Sequence, residues 1–319
     1  MKKEIIEFIT NTDMPIYICG HIKPDQDSIC SSLALAKLLE KLEKKAHVLI
    51  ENNDTDIINW HDNKSFITSM VVDREYLFIA LDVNEKKRLG RYEKDFDNAS
   101  FTINIDHHQD NKNESNFTYS DTKMSSTCEM IYELIEEINI EYLDEYIASH
   151  LYSGILNDTN CFSRRISPRT FIIAQELINK GINYNHIIQK TLKERTLYEF
   201  KALAKLVNEI EYDDFHYVVV DKKDPVFSDL THNQIVKKIA EDLRTIEGLD
   251  VFVLFIKNED TITAKCMSNI SENADKIATL FGGGGHKKEA GFTITNKTIE
   301  DILKEIKLYL SKNKVGQKR

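Results

Sequence analysis

Residues 18–36 read ICGHIKPDQDSICSSLALA, and this stretch joins the end of an apolar run to the start of a helical pattern. His21, Asp25 and Asp27 lie close together at that junction. Aspartate and serine after a proline are typical of a turn followed by a helix N-cap, because their short polar side chains accept hydrogen bonds from backbone N–H groups. The same histidine and aspartates are also ligands for divalent metal ions. The stretch by itself leaves both interpretations open.

The composition bounds the class of protein. A chain of 319 residues is long enough for two domains. No apolar run approaches the roughly 20 residues that span a bilayer, and acidic residues interrupt the apolar part of the N-terminus, so we expect no membrane span and no signal peptide. Five scattered cysteines without CxxC spacing favour reduced thiols in a cytoplasmic protein over a disulfide framework or a zinc site. A net charge of −10 disfavours general binding of long nucleic acids.

The first half of the chain alternates strand and helix patterns. Short apolar or β-branched runs predict four strands, at 16–20, 46–50, 76–82 and 101–106. Helical spacing predicts helices after the first strand and at 126–140, 142–157 and about 169–181. This alternation indicates an α/β fold with an N-terminal, mainly parallel sheet that is covered by helices on both faces.

The second half has the pattern of a smaller α/β domain. It contains a strand at 216–221, two strands within 250–268, a helix at 271–281 and a last amphipathic helix that ends near 311. Residues 183–210 are helical and charged in pattern. We therefore predict a first domain over 1–185, a helical linker over 186–214 and a second domain over 215–319.

Aspartate and histidine residues recur where apolar runs end. Asp82 ends the run YLFIALD, and Asp106, His107 and His108 end the run FTINIDHH. Asp158 also follows an apolar run, and we count it as a further strand end. Ligands gather at the carboxyl ends of parallel strands, so we expect these side chains to converge with those of the opening stretch.

Convergence of several carboxylates requires cations, because the negative charges would otherwise repel one another. Oxygen ligands mixed with imidazole suit Mn²⁺, Mg²⁺ or Fe²⁺. Two such ions, roughly 3.5–4 Å apart, are suited to the hydrolysis of phosphoesters. A single aspartate at a strand end is usually a turn or cap residue, and a His-His pair is often a packing feature. Four such segments together favour the metal site.

Two further features suggest anion binding. Residues 282–286 read GGGGH, and consecutive glycines let backbone N–H groups approach an anion closely. The alternative is a helix C-cap, which explains Gly282 alone. Arg164 and Arg165 follow Asp158 closely and are candidate phosphate clamps, with a solvated loop as the alternative.

These segments resemble a known family. HIKPDQD (21–27), Asp82, DHH (106–108) and GILNDT (154–159) are similar, in order and spacing, to the four motifs of the DHH phosphoesterases. FGGGGHKKEAGF (281–292) is similar to the signature of the DHHA1 domain. The resemblance covers about residues 14–295, and the architecture is most similar to the bacterial nanoRNase/pAp phosphatase group. It implies a catalytic DHH domain and a substrate-binding DHHA1 domain, with the active site in the cleft between them.

The resemblance also implies roles for individual residues. It implies two metal ions, usually Mn²⁺, with His21 and Asp25 on the first and Asp82 bridging to the second. Asp27, His107 and Asp158 would complete the second site. His108 would face the scissile phosphate, and Asp106 would orient a histidine. The remaining residues implied to bind substrate are Gly283, Gly284, Gly285 and His286.

The implied reaction is hydrolysis of short oligonucleotides, of 3′-phosphoadenosine 5′-phosphate (pAp), or of both, by a hydroxide that two metal ions activate. The partners would be short RNA or DNA oligonucleotides or small phosphorylated nucleotides. Formation of a homodimer is a further possibility that the sequence does not decide. The alternatives are a phosphodiesterase for linear dinucleotides such as pApA, a manganese-dependent inorganic pyrophosphatase and a nucleotide-binding regulator without activity. Met267 stands where the nanoRNase group commonly has an arginine that contacts substrate.

Overall fold

The computed structural model describes residues 2–22, 24–50, 65–108, 111–193, 196–231, 234–271 and 273–313. The chain divides into two compact units, Met1–Glu194 and Arg195–Arg319. The boundary lies within the segment 186–214, for which we predict a linker. Residues 197–208 of that segment form a helix whose Ala202 and Leu206 are fully buried in the core of the second unit. This part of the segment therefore belongs to the second unit.

The first unit contains a six-stranded parallel sheet. Its strands are β1 (Ile16–Cys19), β2 (Ala46–Leu49), β3 (Ile67–Thr68), β4 (Leu77–Leu81), β5 (Phe101–Asp106) and β6 (Phe117–Ser120). Their order is β3-β2-β1-β4-β5-β6, and every neighbouring pair is parallel. β1 and β4 are buried along their whole length, as expected for central strands covered on both faces. The edge strands β3 and β6, which we did not predict, are too short for a clear periodic pattern.

Helices cover this sheet on both faces, with a larger hydrophobic core on one face and a smaller core around Tyr17, Phe78 and Phe96 on the other. They are α1 (Lys2–Asn11), α2 (Gln26–Lys41), α3 (Glu93–Asn98), α4 (Thr127–Asn139), α5 (Glu145–Asp158), α6 (Pro168–Asn179) and α7 (Tyr184–Ile188). Short 3₁₀ segments occupy Lys86–Tyr92 and Ile140–Tyr142, and a π turn occupies Gln189–Lys193. Side-chain caps by Asp25, Ser126, Asp144 and Ser167 explain where α2, α4, α5 and α6 begin. α2 is buried almost all round and packs against α5.

The strand order places a topological switch point beside β1. From β1 the chain continues to β2 and β3 on one side of the sheet, and then to β4, β5 and β6 on the other. In such sheets a crevice opens at the carboxyl ends of the strands on either side of the switch point. The residues that follow β1 and β4 therefore lie where a ligand is expected.

The second unit has a smaller, mixed sheet. Its strands are β7 (Glu211–Tyr212), β8 (His216–Asp221), β9 (Val251–Lys257), β10 (Ile262–Ser268), β11 (Gly284–His286) and β12 (Glu289–Ile294). Its helices are α8 (Leu197–Asn208), α9 (Pro225–Ser228), α10 (Ala240–Arg244), α11 (Ala274–Thr279) and α12 (Ile299–Asn313). A π turn occupies Gln234–Ile239. The order is β11-β12-β10-β9-β8-β7, with only β8 and β9 parallel. Alternate residues of β10 enter two cores, with Cys266 on one face and Met267 on the other.

None of the helices that the structure describes is both long enough and apolar enough to cross a lipid bilayer.

Candidate metal centre

The carboxyl ends of three parallel strands bring the predicted ligands together. His21 and Asp25 follow β1, Asp82 follows β4, and His107 follows β5. Within the described parts of the chain, atoms able to hold a metal ion form three overlapping groups, each with its atoms within 4.8 Å of one another. These groups are His21–Asp25–Asp82, Asp27–His107–Asp158 and Asp82–His107–His108.

Asp158 reaches this centre from a helix. Our expectation that it follows a strand is wrong, because it is the last residue of α5. The helical spacing over 142–157 already predicts this helix, so counting Asp158 as a strand end disagreed with that pattern. The packing of α5 on α2 brings Asp158 to the ligand group that contains Asp27.

The first ligand group is centred on His21. Its Nδ1 lies 2.8 Å from the carbonyl oxygen of Ile22, which leaves Nε2 for the carboxylates. Nε2 lies 3.4 Å from Asp82 Oδ2 and 3.8 Å from Asp25 Oδ1. Burial lowers the pKa of His21, but hydrogen bonding to Asp25 and Asp82 outweighs it and raises the pKa to about 10. The carboxylates thus favour the positively charged form of this imidazole.

Asp25 fulfils both interpretations of the opening stretch. Its extended backbone makes it the N-cap of α2, and its Oδ1 accepts a hydrogen bond of 3.2 Å from the N–H of Ser28. The same carboxylate belongs to the His21 group. Cap and candidate ligand are therefore one residue.

The second ligand group contains a buried nitrogen without a hydrogen-bond partner. His107 Nε2 lies 3.1 Å from Asp158 Oδ2 and 3.7 Å from Asp82 Oδ1, but it makes no well-aligned hydrogen bond. Burial lowers the pKa of His107, and the carboxylate of Asp158 outweighs this and raises the pKa to about 10. A buried imidazole nitrogen that is aimed at carboxylates in this way fits a metal ligand.

Asp27 has a second, structural role that its sequence position does not reveal. It is fully buried, and its two carboxylate oxygens accept hydrogen bonds from the N–H groups of Thr127 and Cys128, at 2.7 and 2.9 Å. These N–H groups belong to the first turn of α4, where the helix dipole stabilises negative charge. Burial raises the pKa of Asp27 well above its usual range, and the charges of Asp158 and Asp82 raise it further.

Asp82 joins the groups, and its backbone has an uncommon conformation. Its φ of 61° lies in the left-handed region, which aspartate tolerates better than most residues. Its N–H donates to the carbonyl oxygen of Ile105 at 3.0 Å, and this bond ties the end of β4 to β5. One carboxylate oxygen faces His21 and the other faces His107 and His108. Asp82 therefore belongs to two of the ligand groups at once.

The donor set fits divalent cations. Four carboxylates and three imidazoles converge. Burial and the neighbouring carboxylates raise the pKa of Asp27, and the carboxylates raise those of His21 and His107, as expected where negative charges crowd together. Hard oxygen donors with imidazole nitrogen suit Mn²⁺, Mg²⁺ or Fe²⁺. The residues that the structure brings together can hold metal ions here.

His108 is held by a buried carboxylate. Its Nδ1 lies 2.6 Å from Oδ1 of Asp106, which is fully buried, and 3.4 Å from Asp82 Oδ1. Asn111, which sequence reasoning missed, donates from Nδ2 to Asp106 Oδ2 at 2.8 Å and to Asn104 Oδ1 at 2.7 Å. A small polar network thus orients Asp106, which in turn orients His108.

The segment after Asp158 contains a left-handed turn. Asn160, Cys161 and Phe162 have φ values of 46°, 55° and 60°, and Arg165 has a φ of 52°. Each such residue costs about 1–2 kcal/mol relative to the right-handed conformation. The turn returns Arg165 to Asp158, where its Nη2 donates to the carbonyl oxygen at 3.3 Å.

The two candidate arginine clamps differ in placement. The side chain of Arg165 is nearly half exposed and lies beside Asp158. Arg164 is half-buried, and its backbone N–H donates to the carbonyl oxygen of Thr159. These contacts place the guanidinium of Arg165 beside Asp158.

The glycine-rich segment is part of a strand in the second unit. Gly282 follows α11 with a φ of 74°, as a helix-terminating glycine does. A Cβ on Gly283 or Gly285 would lie 2.2 Å from Gly291 O or 2.5 Å from Ala290 Cα, so close strand packing requires both glycines. A Cβ on Gly284 would meet nothing within 4 Å. Packing thus explains most of the glycines, while Gly284 and His286 stay exposed.

Met267, which replaces the expected arginine, is a core residue. It is buried in β10, opposite Phe252 on β9 and Glu289 on β12. The cation on the same face is Lys265, which is also buried and lies 2.9 Å from Glu289 Oε1. Lys265 is thus held in an ion pair, and Met267 offers no charge to a ligand.

Two glycines that sequence reasoning missed allow the segments around the ligands to pack closely. A Cβ on Gly20 would lie 1.9 Å from Ser28 Oγ, which accepts a hydrogen bond from the N–H of His21. A Cβ on Gly154 would lie 2.2 Å from Cys128 Sγ and 2.9 Å from Asp27 Oδ1. A glycine inside the helical pattern of α5 was the available signal.

The chain matches two family descriptions and shares much of its length with curated relatives. Residues 15–155 match the DHH family, N-terminal domain, and residues 215–312 match the DHHA1 domain. A Thermus thermophilus protein named bifunctional oligoribonuclease and PAP phosphatase NrnA is 26% identical over 95% of this chain and 91% of its own length. A Listeria monocytogenes protein named cyclic-di-AMP phosphodiesterase PdeA is 27% identical over 96% of this chain but 48% of its own length. The chain thus spans about half of the second relative.

Two solved structures share the fold of this chain. An exopolyphosphatase-related protein from Bacteroides fragilis superposes with a TM-score of 0.87 at 21% identity, over 98% of this chain and 95% of that chain. Thermus thermophilus RecJ in complex with Mn²⁺ superposes with a TM-score of 0.53 at 12% identity, over 98% of this chain and 54% of that chain. The family matches, the near-complete alignments and the ligand cluster lead to one conclusion: the chain belongs to the DHH family of phosphoester hydrolases, and its second unit carries a DHHA1 domain.

Proposed function

We propose that this phosphoesterase hydrolyses short oligonucleotides, pAp, or both, with two divalent metal ions. The observation that carries the proposal is the position of Asp82, whose two carboxylate oxygens face His21 on one side and His107 on the other. A carboxylate shared in this way fits two ions a few ångströms apart, which is the arrangement suited to phosphoester hydrolysis. The name of the Thermus thermophilus relative supports this substrate class.

We assign the ligands in two sets. His21 and Asp25 would hold one ion, Asp27, His107 and Asp158 would hold the other, and Asp82 would bridge them. Bound divalent ions would supply Lewis-acid stabilisation of the phosphoryl oxygens and would lower the pKa of an attacking water. We propose Mn²⁺, with Mg²⁺ or Fe²⁺ as alternatives, because the donors are carboxylates and imidazoles and the RecJ structure of similar fold contains Mn²⁺.

We assign His108 to the substrate and not to an ion. Its Nδ1 is closer to Asp106 than to Asp82, by 2.6 against 3.4 Å, so this nitrogen donates to the buried carboxylate. Nε2 then remains to stabilise the phosphate or to give a proton to the leaving oxygen. Asp106 would position His108.

We propose that the glycine strand of the DHHA1 domain binds the substrate's terminal phosphate or nucleotide through Gly283, Gly284, Gly285 and His286. The exposure of Gly284 and His286 supports this role. His286→Ala should raise KM about tenfold or more and leave kcat nearly unchanged, since charge-assisted hydrogen bonds to phosphate are among the stronger polar contacts. His186→Ala, at another exposed histidine, is the matched control. An unchanged KM for His286→Ala would remove the glycine strand from substrate binding.

A phosphodiesterase for linear dinucleotides such as pApA is the second candidate. The Listeria monocytogenes relative, named as a cyclic-di-AMP phosphodiesterase, matches this chain as extensively as the Thermus thermophilus relative does. A pyrophosphatase is less favoured because the second unit matches the DHHA1 domain. The complete set of ligand side chains argues against a regulator without activity.

A substrate panel with Mn²⁺ separates these candidates. The panel contains pyrophosphate, pAp, pApA, RNA dinucleotides and longer RNA oligomers. We expect turnover of pAp, of RNA dinucleotides or of both, and little turnover of pyrophosphate. Turnover of pApA alone would favour the second candidate, and turnover of pyrophosphate alone would contradict the proposal.

A further inference from the structure

Two stacked phenylalanine rings follow Asp158 in the chain and have no part in the roles assigned so far. The ring centroids of Phe162 and Phe171 are 5.5 Å apart with an interplanar angle of 29°. Phe162 is half-buried and also contacts Tyr152, at 6.2 Å between centroids. Phe171 is 50% exposed. The pair therefore presents an aromatic surface that is supported from below.

Hydrogen bonds tie this pair to the elements that carry the ligands. The N–H of Phe162 donates to Thr159 Oγ1 at 2.9 Å, and Thr159 directly follows Asp158. Phe171 follows Thr170, whose Oγ1 donates to Glu129 Oε1 at 3.1 Å. Glu129 lies in the first turn of α4, the turn that binds the carboxylate of Asp27. Both rings thus lie at the end of the unit that holds the ligand cluster.

The backbone between Asp158 and Phe171 is strained. Asn160, Cys161 and Phe162 are three consecutive residues in the left-handed conformation. Such conformations persist where the surrounding structure holds them, and they cluster at functional sites. The helical end of α5 places Asp158 without this turn. What the turn adds is the placement of Phe162 beneath Phe171 and of Arg165 beside Asp158.

We infer that Phe171, supported by Phe162, is a stacking platform for a nucleobase of the substrate, and that Arg165 contacts the adjoining phosphate. This inference rests on the proposed function. Aromatic rings stack on any base, and a guanidinium pairs with phosphate oxygens, so the combination fits a nucleotide. Arg165 lies beside Asp158, a residue that we assign as a metal ligand, where its guanidinium can meet a phosphate oxygen. The charge therefore favours a phosphate-bearing ligand over a protein partner.

A fluorescent nucleotide tests the platform independently of turnover. The probe is the 3′,5′-bisphosphate of 2-aminopurine riboside, mixed with the full chain and Mn²⁺ in a stopped-flow instrument, because stacking on a ring quenches 2-aminopurine. We expect fast quenching with the unchanged chain and with Phe171→Trp. Phe171→Leu should abolish the quenching and weaken binding about tenfold. Phe200→Leu, at a phenylalanine that is 55% exposed, is the matched control and should behave as the unchanged chain.

Steady-state kinetics distinguish stacking from a structural effect. Phe171→Leu should raise KM for pAp about tenfold, with kcat and the KM for base-free ribose 3,5-bisphosphate unchanged. Equal increases on both substrates, or absence of quenching in the unchanged chain, would overturn the platform. Quenching without hydrolysis of either substrate would instead support the platform and contradict the proposed function.

Discussion

Single residues at this centre combine a structural and a chemical role. Asp25 caps α2 and faces His21, and Asp27 accepts two backbone hydrogen bonds from α4 while it belongs to a ligand group. Because the carboxylates also anchor helix ends, the ligand geometry is set before any ion binds. This is the physical form of pre-organisation. Substitutions must therefore be chosen so that loss of ligation and loss of folding are separable.

Asp82→Asn is such a substitution. Asparagine tolerates the left-handed conformation and keeps the size of the side chain, but it removes the charge that two ligand groups share. Substitution of a residue that only supports a metal ligand typically lowers activity about 10–100-fold. Because we assign Asp82 as a ligand itself, we expect kcat to fall at least about a hundredfold. Steady-state kinetics with Mn²⁺ and calorimetric Mn²⁺ titration are the measurements.

The control for this change is Asp214→Asn, which makes the same chemical change at another left-handed, exposed aspartate. It should retain full activity. An Asp82→Asn variant that binds Mn²⁺ normally and keeps its activity would contradict the role of Asp82.

Asn111→Ala tests the network behind His108. The change removes the hydrogen bond to the buried Asp106 carboxylate, so His108 loses its fixed orientation. We expect kcat to fall about 10–100-fold, with KM and Mn²⁺ affinity nearly unchanged. Asn208→Ala, at an exposed asparagine of α8, is the control. A loss of Mn²⁺ affinity as large as the loss of kcat would show that Asn111 supports the ligands and not His108.

At the scale of elements, the centre depends on the close contact of α2, α4 and α5. Asp27 lies in the first turn of α2, its partners Thr127 and Cys128 begin α4, and Gly154 of α5 lies against both. Three helix segments thus meet at one carboxylate, and they meet only because α5 has no side chain there. The glycine is a packing requirement of the site.

Gly154→Ala should therefore destabilise the protein. Alanine is favoured over glycine in a helix interior by about 1 kcal/mol. Replacing a helical glycine that has no close neighbours by alanine would therefore stabilise the protein. Here the added Cβ would lie 2.2 Å from Cys128 Sγ, and such overpacking costs about 1–3 kcal/mol. Urea unfolding measures the sign of the change, and we also expect weaker Mn²⁺ binding because Asp27 must move.

Cys128→Ala combined with Gly154→Ala is the matched test, since it removes the sulfur that the new Cβ would meet. The double variant should recover part of the stability that Gly154→Ala loses. A single variant more stable than the unchanged chain would refute the packing argument.

At the scale of the whole molecule, the two units have separate hydrophobic cores and carry different candidate functional residues. All residues that we assign as metal ligands lie in the first unit, whereas the glycine strand lies in the second. Binding of an ion stabilises the unit that holds it by mass action, by about 2.7 kcal/mol at one hundred times the dissociation constant. Mn²⁺ should accordingly act on the first unit.

Hydrogen exchange measured by mass spectrometry checks this expectation. Mn²⁺ should slow exchange in Gln26–Lys41 and Glu145–Asp158 of the first unit and leave Val251–Lys257 of the second unit unchanged. Asp82→Asn should abolish the difference. Equal slowing in both units would argue against a metal site confined to the first.

Much of the fold follows from local pattern. The central strands and the helices α2, α4, α5 and α6 appear where apolar periodicity and capping residues predict them. The short strands β3, β6 and β11 have too few residues for a pattern, and we predicted no strand at the glycine-rich segment that contains β11. Asp158 was counted as a strand end although the helical spacing over 142–157 predicts the helix that carries it.

The sequence by itself determined the kinds of ligand and the segments that carry them, because residue type and strand position are local properties. Only the tertiary structure decided which groups meet at one centre. The pairing of Asp27 with the first turn of α4, the support of Asp106 by Asn111 and the requirement for Gly154 all depend on contacts between segments distant in the chain. The opening stretch shows the same division. From spacing alone, Asp25 could be either a helix cap or a metal ligand. In the structure it caps α2, and the pairing of β4 with β1 brings Asp82 into the same ligand group, so Asp25 has both roles.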